Sequence, residues 1–286
     1  MSDFMRNVIK SALARSGGVE LNSPRRNAGL NGRRVGRGHG NALEFSEYRE
    51  YRAGDDLRRL DWSVYARSEQ LMVKLFCEEV DPRCDLIIDH SGSMSAPNLN
   101  KAAAALGLGA ILAEAARSGG FSLKVWHCRE QLELEHNPLS PLEWRDLAFD
   151  SAYNPADSIT RFAGSFQARG IRILVSDLLW QGEPGRFLRR FTDGAMRGII
   201  LEVLLPEEIN PLLSGNIMLQ DAECGEEREL MIDERLLQRY RERLERHRQM
   251  WHREAANFGV QLLAVSAAEL YPAWNLNELF RSGVLK

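Results

Sequence analysis

The chain has 286 residues, with 37 Lys+Arg against 40 Asp+Glu, a formal net charge of -3 and 44% hydrophobic residues, which suffices for a large domain that buries its own core. Charged residues at 27% and aromatics at 8% exclude wholesale disorder. No apolar run approaches the roughly 20 residues of a membrane-spanning helix, and the opening MSDFMRNVIKSALARSGG lacks the apolar stretch of a secretory signal, so the expectation is a cytoplasmic protein without membrane insertion.

Residues 1–40 carry a net charge of +6, leaving -9 on the rest, and read as a basic, flexible head. Within it Phe4, Val8, Ile9, Ala12 and Leu13 recur at helical spacing and predict a short amphipathic helix over 3–15. The following stretch to Asn41 has the Gly, Asn and Arg content of a loop. Its Gly36-Arg37-Gly38-His39-Gly40 lacks the preceding buried strand and the following G-K-[ST] of a phosphate loop. A basic arm attracts nucleic acid through the phosphates, but no aromatics are interleaved for stacking, which argues against that partner.

Residues 41–80 are dense in aromatics and paired charges and read as an ordered, irregular segment packing on the core. From 81 to 286, strand-like and helix-like stretches alternate. CDLIID, IRILVSD and RGIILEVLL are buried-strand runs, LNKAAAALGLGAILAEAARS is a long Ala/Leu helix, and FSLKVWHC with QLELEH is a strand pair. PLEWRDLAF and 157–168 read as helical, 214–232 as a hairpin, 233–257 as a long helix with Leu237, Tyr240, Leu244, Trp251, Ala255 and Phe258 on one face, and GVQLLAVS as the closing strand. Such a series predicts an α/β fold, a doubly wound and mainly parallel sheet with helices on both sides. The four cysteines, Cys77, Cys84, Cys128 and Cys224, form no C-x-x-C pair, against a structural zinc site or a disulfide framework.

Ligands of a parallel sheet collect beyond the carboxyl ends of its strands. The first buried strand ends in Asp89-His90-Ser91-Gly92-Ser93, where D-x-S-x-S sets three oxygen-bearing side chains at alternate positions, a hard-oxygen set suited to Mg²⁺. A second strand ends in Ser176-Asp177. The same residues also serve as turn and cap residues, with Ser93 or Ser95 capping the next helix. Asp89 as the nucleophile of a metal-dependent phosphoester hydrolase lacks the second carboxylate two residues on, and the histidines are scattered.

LIIDHSGSM resembles the metal-ion-dependent adhesion site of von Willebrand factor A domains, with Asp89, Ser91 and Ser93 matching its first motif and Asp177 its last. The resemblance implies an Mg²⁺ site completed by a Thr, but Ala156 stands where that Thr is expected, leaving Asp157 or Thr160 to compensate. Gly38-His39-Gly40, Glu44-Phe45, Arg49-Glu50-Tyr51, Gly54-Asp55-Asp56, Arg59, Asp61-Trp62 and Ala66-Arg67 resemble the signature of a bacterial family, domain of unknown function 58. That family pairs this signature with a von Willebrand factor A-like domain and is associated with MoxR-type AAA+ ATPases. The resemblance implies a non-enzymatic adaptor or chaperone partner of such an ATPase, bridging a client's carboxylate through the metal. Arg49, Tyr51, Asp55, Asp56, Asp61, Trp62 and Arg67 would form a docking face, since aromatics and arginines are common hot-spot residues; internal ion pairing of the same charges is the alternative reading.

Overall fold

The computed structural model describes residues 3–22, 43–78, 82–145 and 148–286. The described residues fall into two compact units, one made of 3–22 with 82 onward and the other across 43–78. Along the chain the elements are α1 (Asp3–Leu13), β1 (Leu43–Glu50), α2 (Trp62–Ser68), β2 (Met72–Glu78), β3 (Arg83–Asp89), α3 (Asn100–Ser118), β4 (Ser122–Cys128), β5 (Leu132–Leu134) and α4 (Pro155–Phe162). They continue with β6 (Ile171–Ser176), α5 (Pro184–Thr192), β7 (Arg197–Leu204), α6 (Pro206–Ile209), β8 (Gly215–Gln220), β9 (Glu227–Ile232), α7 (Glu234–Asn257), β10 (Val260–Ser266), α8 (Ala267–Leu270) and α9 (Asn277–Arg281).

The larger unit is a six-stranded sheet in the order β10-β7-β6-β3-β4-β5, parallel throughout except for β5, which pairs antiparallel with β4. Helices cover both faces, so the strands are apolar on both sides. Leu86 and Ile88 of β3 pack in the α3 layer, while Ile87 joins Leu174, Ile159 and Phe187 beneath α4 and α5. Counted from β3, the sheet has the 3-2-1-4-5-6 order of doubly wound folds, whose switch point lies between its first and fourth strands. Those strands are β3 and β6, so the rim that holds Asp89 also holds Ser176.

Helix α3 is buried almost around its whole circumference, which its small side chains permit. A methyl group added at Gly107 would stand 2.0 Å from the Trp274 ring, so the close approach of the C-terminal segment depends on that glycine. The stretch 214–232 is the expected hairpin, β8 against β9. PLEWRDLAF departs from its helical reading: Pro141–Glu143 is a single 3-10 turn, and 146–147 lie outside the described residues.

Residues 3–22 are part of this unit and not of a flexible head. Met5, Val8, Ile9 and Ala12 of α1 are buried in the α3 layer. The amides of Glu20 and Lys286 each donate to the other residue's carbonyl, at 3.0 and 2.9 Å. An apolar helical stripe thus outweighs the basic charge around it; the remainder of the expected head, 23–40, lies outside the described residues.

The smaller unit is more regular than its composition suggests. β1 and β2 form an antiparallel pair with a bulge between Phe45 and Glu47, and the connection between them contains a 3-10 turn at Leu57–Arg59 and α2.

Candidate functional site

Because β3 and β6 run parallel in adjacent positions, the rim between them collects Asp89, Ser91, Ser93, Ser176 and Asp177. Asp89 has no solvent exposure, and both of its oxygens are engaged. Oδ1 accepts the Ser91 amide at 2.9 Å, and Oδ2 accepts the Ser176 hydroxyl at 2.6 Å and the Trp180 indole N–H at 3.2 Å. Burial first, and the neighbouring Asp177 charge second, push its carboxyl up to about 6. The Ser91 and Ser93 hydroxyls lie 3.1 Å apart and bond to each other. Ser95, the other candidate cap, donates instead to the Gly92 carbonyl at 3.0 Å.

Asp177 is also fully buried and faces a residue that the spacing of motifs did not reveal. The Nζ of Lys101, on the first turn of α3, stands 2.9 Å from Asp177 Oδ2 and 2.5 Å from Glu208 Oε1, and the Lys101 side chain has no exposure. The other oxygen of Asp177 accepts the Leu179 amide at 3.1 Å. Burial alone would lower the Lys101 ammonium's pKa, but the Asp177 and Glu208 charges outweigh it and hold the group above its ordinary value. The buried cation is therefore charged and paired on two sides, as a buried charge must be.

Asp157 is placed elsewhere. It is exposed in the first turn of α4 and lines a cleft with Ala156, Thr160, Trp180 and Arg186. Ala156 offers no hydroxyl, and its amide donates to the Asn154 cap at 2.9 Å; the hydroxyl of Ser158 donates to the Arg129 and Glu130 carbonyls.

These residues do not fit a divalent ion. Of the expected set, Asp177 is spent on an ammonium, both Asp89 oxygens are already bonded, Ser91 and Ser93 bond to each other, Asp157 is exposed on α4 and Ala156 brings no oxygen. A divalent ion drawn to Asp177 would meet Lys101 beside it, and like charges repel strongly where water is scarce. Among the described residues no cluster of three His, Cys, Asp or Glu side chains has ligand geometry.

The hairpin tip covers the same loop. A methyl group on Gly92 would lie 2.2 Å from the Ala222 carbonyl oxygen, so the tip approaches the loop backbone as only glycine allows. The adjacent Glu223 is pushed upward by burial and by the charges of Asp177 and Asp221. On the other side of the loop, His90 Nε2 and His127 Nδ1 are 2.9 Å apart, His90 Nδ1 is 3.3 Å from the Ala148 carbonyl, and His127 Nε2 is 3.3 Å from Glu135. With an acceptor at each end, three contacts need three ring protons, so two neutral rings leave one contact without its proton.

In the smaller unit the predicted docking residues divide into two groups. Arg49 donates twice to Asp55 at 2.8 and 2.9 Å, Asp55 also accepts the Arg52 amide, and Asp56 caps the 3-10 turn. Asp61 caps α2 through the Ser63 and Val64 amides. It also accepts the Tyr48 hydroxyl at 2.7 Å and pairs with Lys74 at 2.9 Å, partners that hold its carboxyl well below the usual range. Arg67 donates to the Ser63 carbonyl, and the Tyr51 amide extends the strand pairing to Leu71. Trp62 is different: it is 62% exposed, edge-on to Tyr65.

Residues 47–139 match the family described as protein of unknown function DUF58, the family whose signature the sequence resembles. Uncharacterized protein Rv1480 of Mycobacterium tuberculosis and uncharacterized protein Mb1516 of Mycobacterium bovis are each 28% identical over 255 residues, 82% of this chain and 78% of theirs. Among solved structures, conserved hypothetical protein BatB from Bacteroides thetaiotaomicron aligns at 12% identity with a TM-score of 0.37, covering 65% of this chain and 90% of that one. An aerotolerance-related membrane protein from Bacteroides fragilis aligns at 14% with a TM-score of 0.35, covering 70% and 99%. These two likenesses are too weak to bear on fold or function.

Proposed function

We propose that this chain, with its DUF58 match over 47–139, is a non-catalytic cytoplasmic adaptor that docks on a MoxR-type AAA+ ATPase through the 43–78 unit. The larger unit serves as a von Willebrand factor A-like body whose rim is closed by its own side chains. The DUF58 match and the parallel sheet with its Asp89-Ser91-Ser93 loop support this reading.

The observation that carries it is the division of roles in the smaller unit. The charged residues of the expected docking face are used internally: Arg49 with Asp55, Asp56 at the 3-10 turn, Asp61 with Tyr48, Lys74 and the start of α2, and Arg67 on the Ser63 carbonyl. Trp62, Tyr65 and Leu57 remain 62%, 42% and 59% exposed. Large apolar side chains held outward by a fixed ionic frame are suited to protein docking, since rigid aromatic anchors lose little freedom on binding.

The test is the affinity of a MoxR-type ATPase for the full chain and for Trp62→Ala, with circular dichroism as the fold control. A loss of at least tenfold with an unchanged spectrum is expected. Equal affinity for the two proteins would remove the docking face.

A further inference from the structure

The resemblance of the Asp89 loop to a metal-dependent adhesion motif and the side chains around that loop disagree, and the disagreement has a physical solution. We propose that Lys101 is the resident cation of this rim, supplying from within the chain the positive charge that a divalent ion supplies in the motif it resembles. The loop is then assembled without metal. This inference is independent of the docking face on the 43–78 unit.

Three observations carry it. Lys101 is fully buried at the start of α3, in an otherwise Ala-rich turn, so its charge is tolerable only because Asp177 and Glu208 receive it. Its partners come from two further elements, the end of β6 and α6, at 2.9 and 2.5 Å, so the ammonium links α3, β6 and α6 at the rim. The remaining oxygens are also provided for: Asp89 by Ser91, Ser176 and Trp180, Asp177 Oδ1 by Leu179, and Glu208 Oε2 by the Leu205 amide at 2.8 Å. The motif's carboxylate oxygens thus already have protein donors, its two serine hydroxyls bond to each other, and its charge has a protein counterion.

Fixing the cation in the chain also changes what can regulate the rim. An ion can leave when its concentration falls or when a chelator competes, whereas a side chain cannot. The rim should therefore be indifferent to Mg²⁺, and a substitution that removes the ammonium should make it dependent on an added cation.

The experiment is a Mn²⁺ titration followed by electron paramagnetic resonance, with thermal melting in Mg²⁺ and in EDTA, on the full chain and on Lys101→Ala. The wild-type chain should show no saturable Mn²⁺ site at millimolar concentration and the same Tm in both buffers. Lys101→Ala should melt lower and recover several degrees when Mg²⁺ is added. A wild-type chain that binds one equivalent of Mn²⁺, with binding lost in Ser91→Ala, would overturn the proposal, as would a folded Lys101→Ala whose Tm ignores Mg²⁺. Should Lys101→Ala fail to fold, the wild-type titration and its Ser91→Ala control decide alone.

Discussion

Lys101 Nζ lies 2.9 Å from Asp177 Oδ2, and neither side chain has any solvent exposure. The two residues stand 76 positions apart in sequence, so the pair ties the first turn of α3 to the end of β6 at the switch point of the sheet. Breaking a buried pair from one side leaves the other charge uncompensated, which costs on the order of 3–5 kcal/mol.

Lys101→Met, which strips Asp177 of its counterion, should therefore lower the stability measured by urea unfolding by roughly that amount. Asp177→Asn, which leaves Lys101 paired with Glu208, should lower it by less, and the double variant should lose clearly less than the sum of the two. Additive losses would mean that the two side chains do not act as a pair.

Gly92→Ala should displace the β8–β9 hairpin, because the added methyl would stand 2.2 Å from the Ala222 carbonyl oxygen. Limited proteolysis should then cut faster between residues 215 and 232 while far-ultraviolet circular dichroism stays unchanged. A cleavage pattern identical to wild type would show that the tip does not rest on the loop.

His127 gives a pH dependence with a defined sign. Burial pushes its pKa down to about 4 despite the opposing Glu135 charge, against an unfolded value near 6.5. Between those values the unfolded chain binds more protons, so stability is full above about pH 6.5 and falls as the pH drops toward 4, by roughly 3 kcal/mol for this one group. His127→Gln should unfold with a shallower loss over that window. An identical slope in both proteins would place the titration elsewhere.

Asp61 organises the smaller unit through its α2 cap, the Tyr48 hydroxyl and Lys74. Asp61→Ala should speed amide exchange across 62–68 and leave the protection of β3 and β6 unchanged, because the two groups of elements belong to separate compact units. Unchanged exchange across 62–68 would show that the carboxylate is dispensable.

Local chemistry made much of this architecture legible. CDLIID, IRILVS and RGIILEVL are continuous apolar runs because strands covered on both faces must be so, and the order of strands and helices follows from them. Asp89, Ser91, Ser93 and Asp177 were visible as strand-end residues. Their counterion was hidden, because Lys101 gains its meaning only from Asp177 and Glu208, which lie 76 and 107 residues away. The one local sign was a lysine set in LNKAAAALGLGAIL, a helix otherwise apolar enough to be buried. Gly92 was hidden for the same reason, since its neighbour is a hairpin tip 130 positions downstream. In the head the apolar stripe marks α1 by its spacing, but the α3 layer that buries it lies about 100 residues downstream and leaves no local sign.

The docking claim is tested most directly by hydrogen–deuterium exchange of the full chain, alone and with a MoxR-type ATPase. Protection that appears across 57–68, around Leu57, Trp62 and Tyr65, is the predicted result. Protection confined to the β3–α3 loop, with 57–68 exchanging as in the free chain, would contradict it.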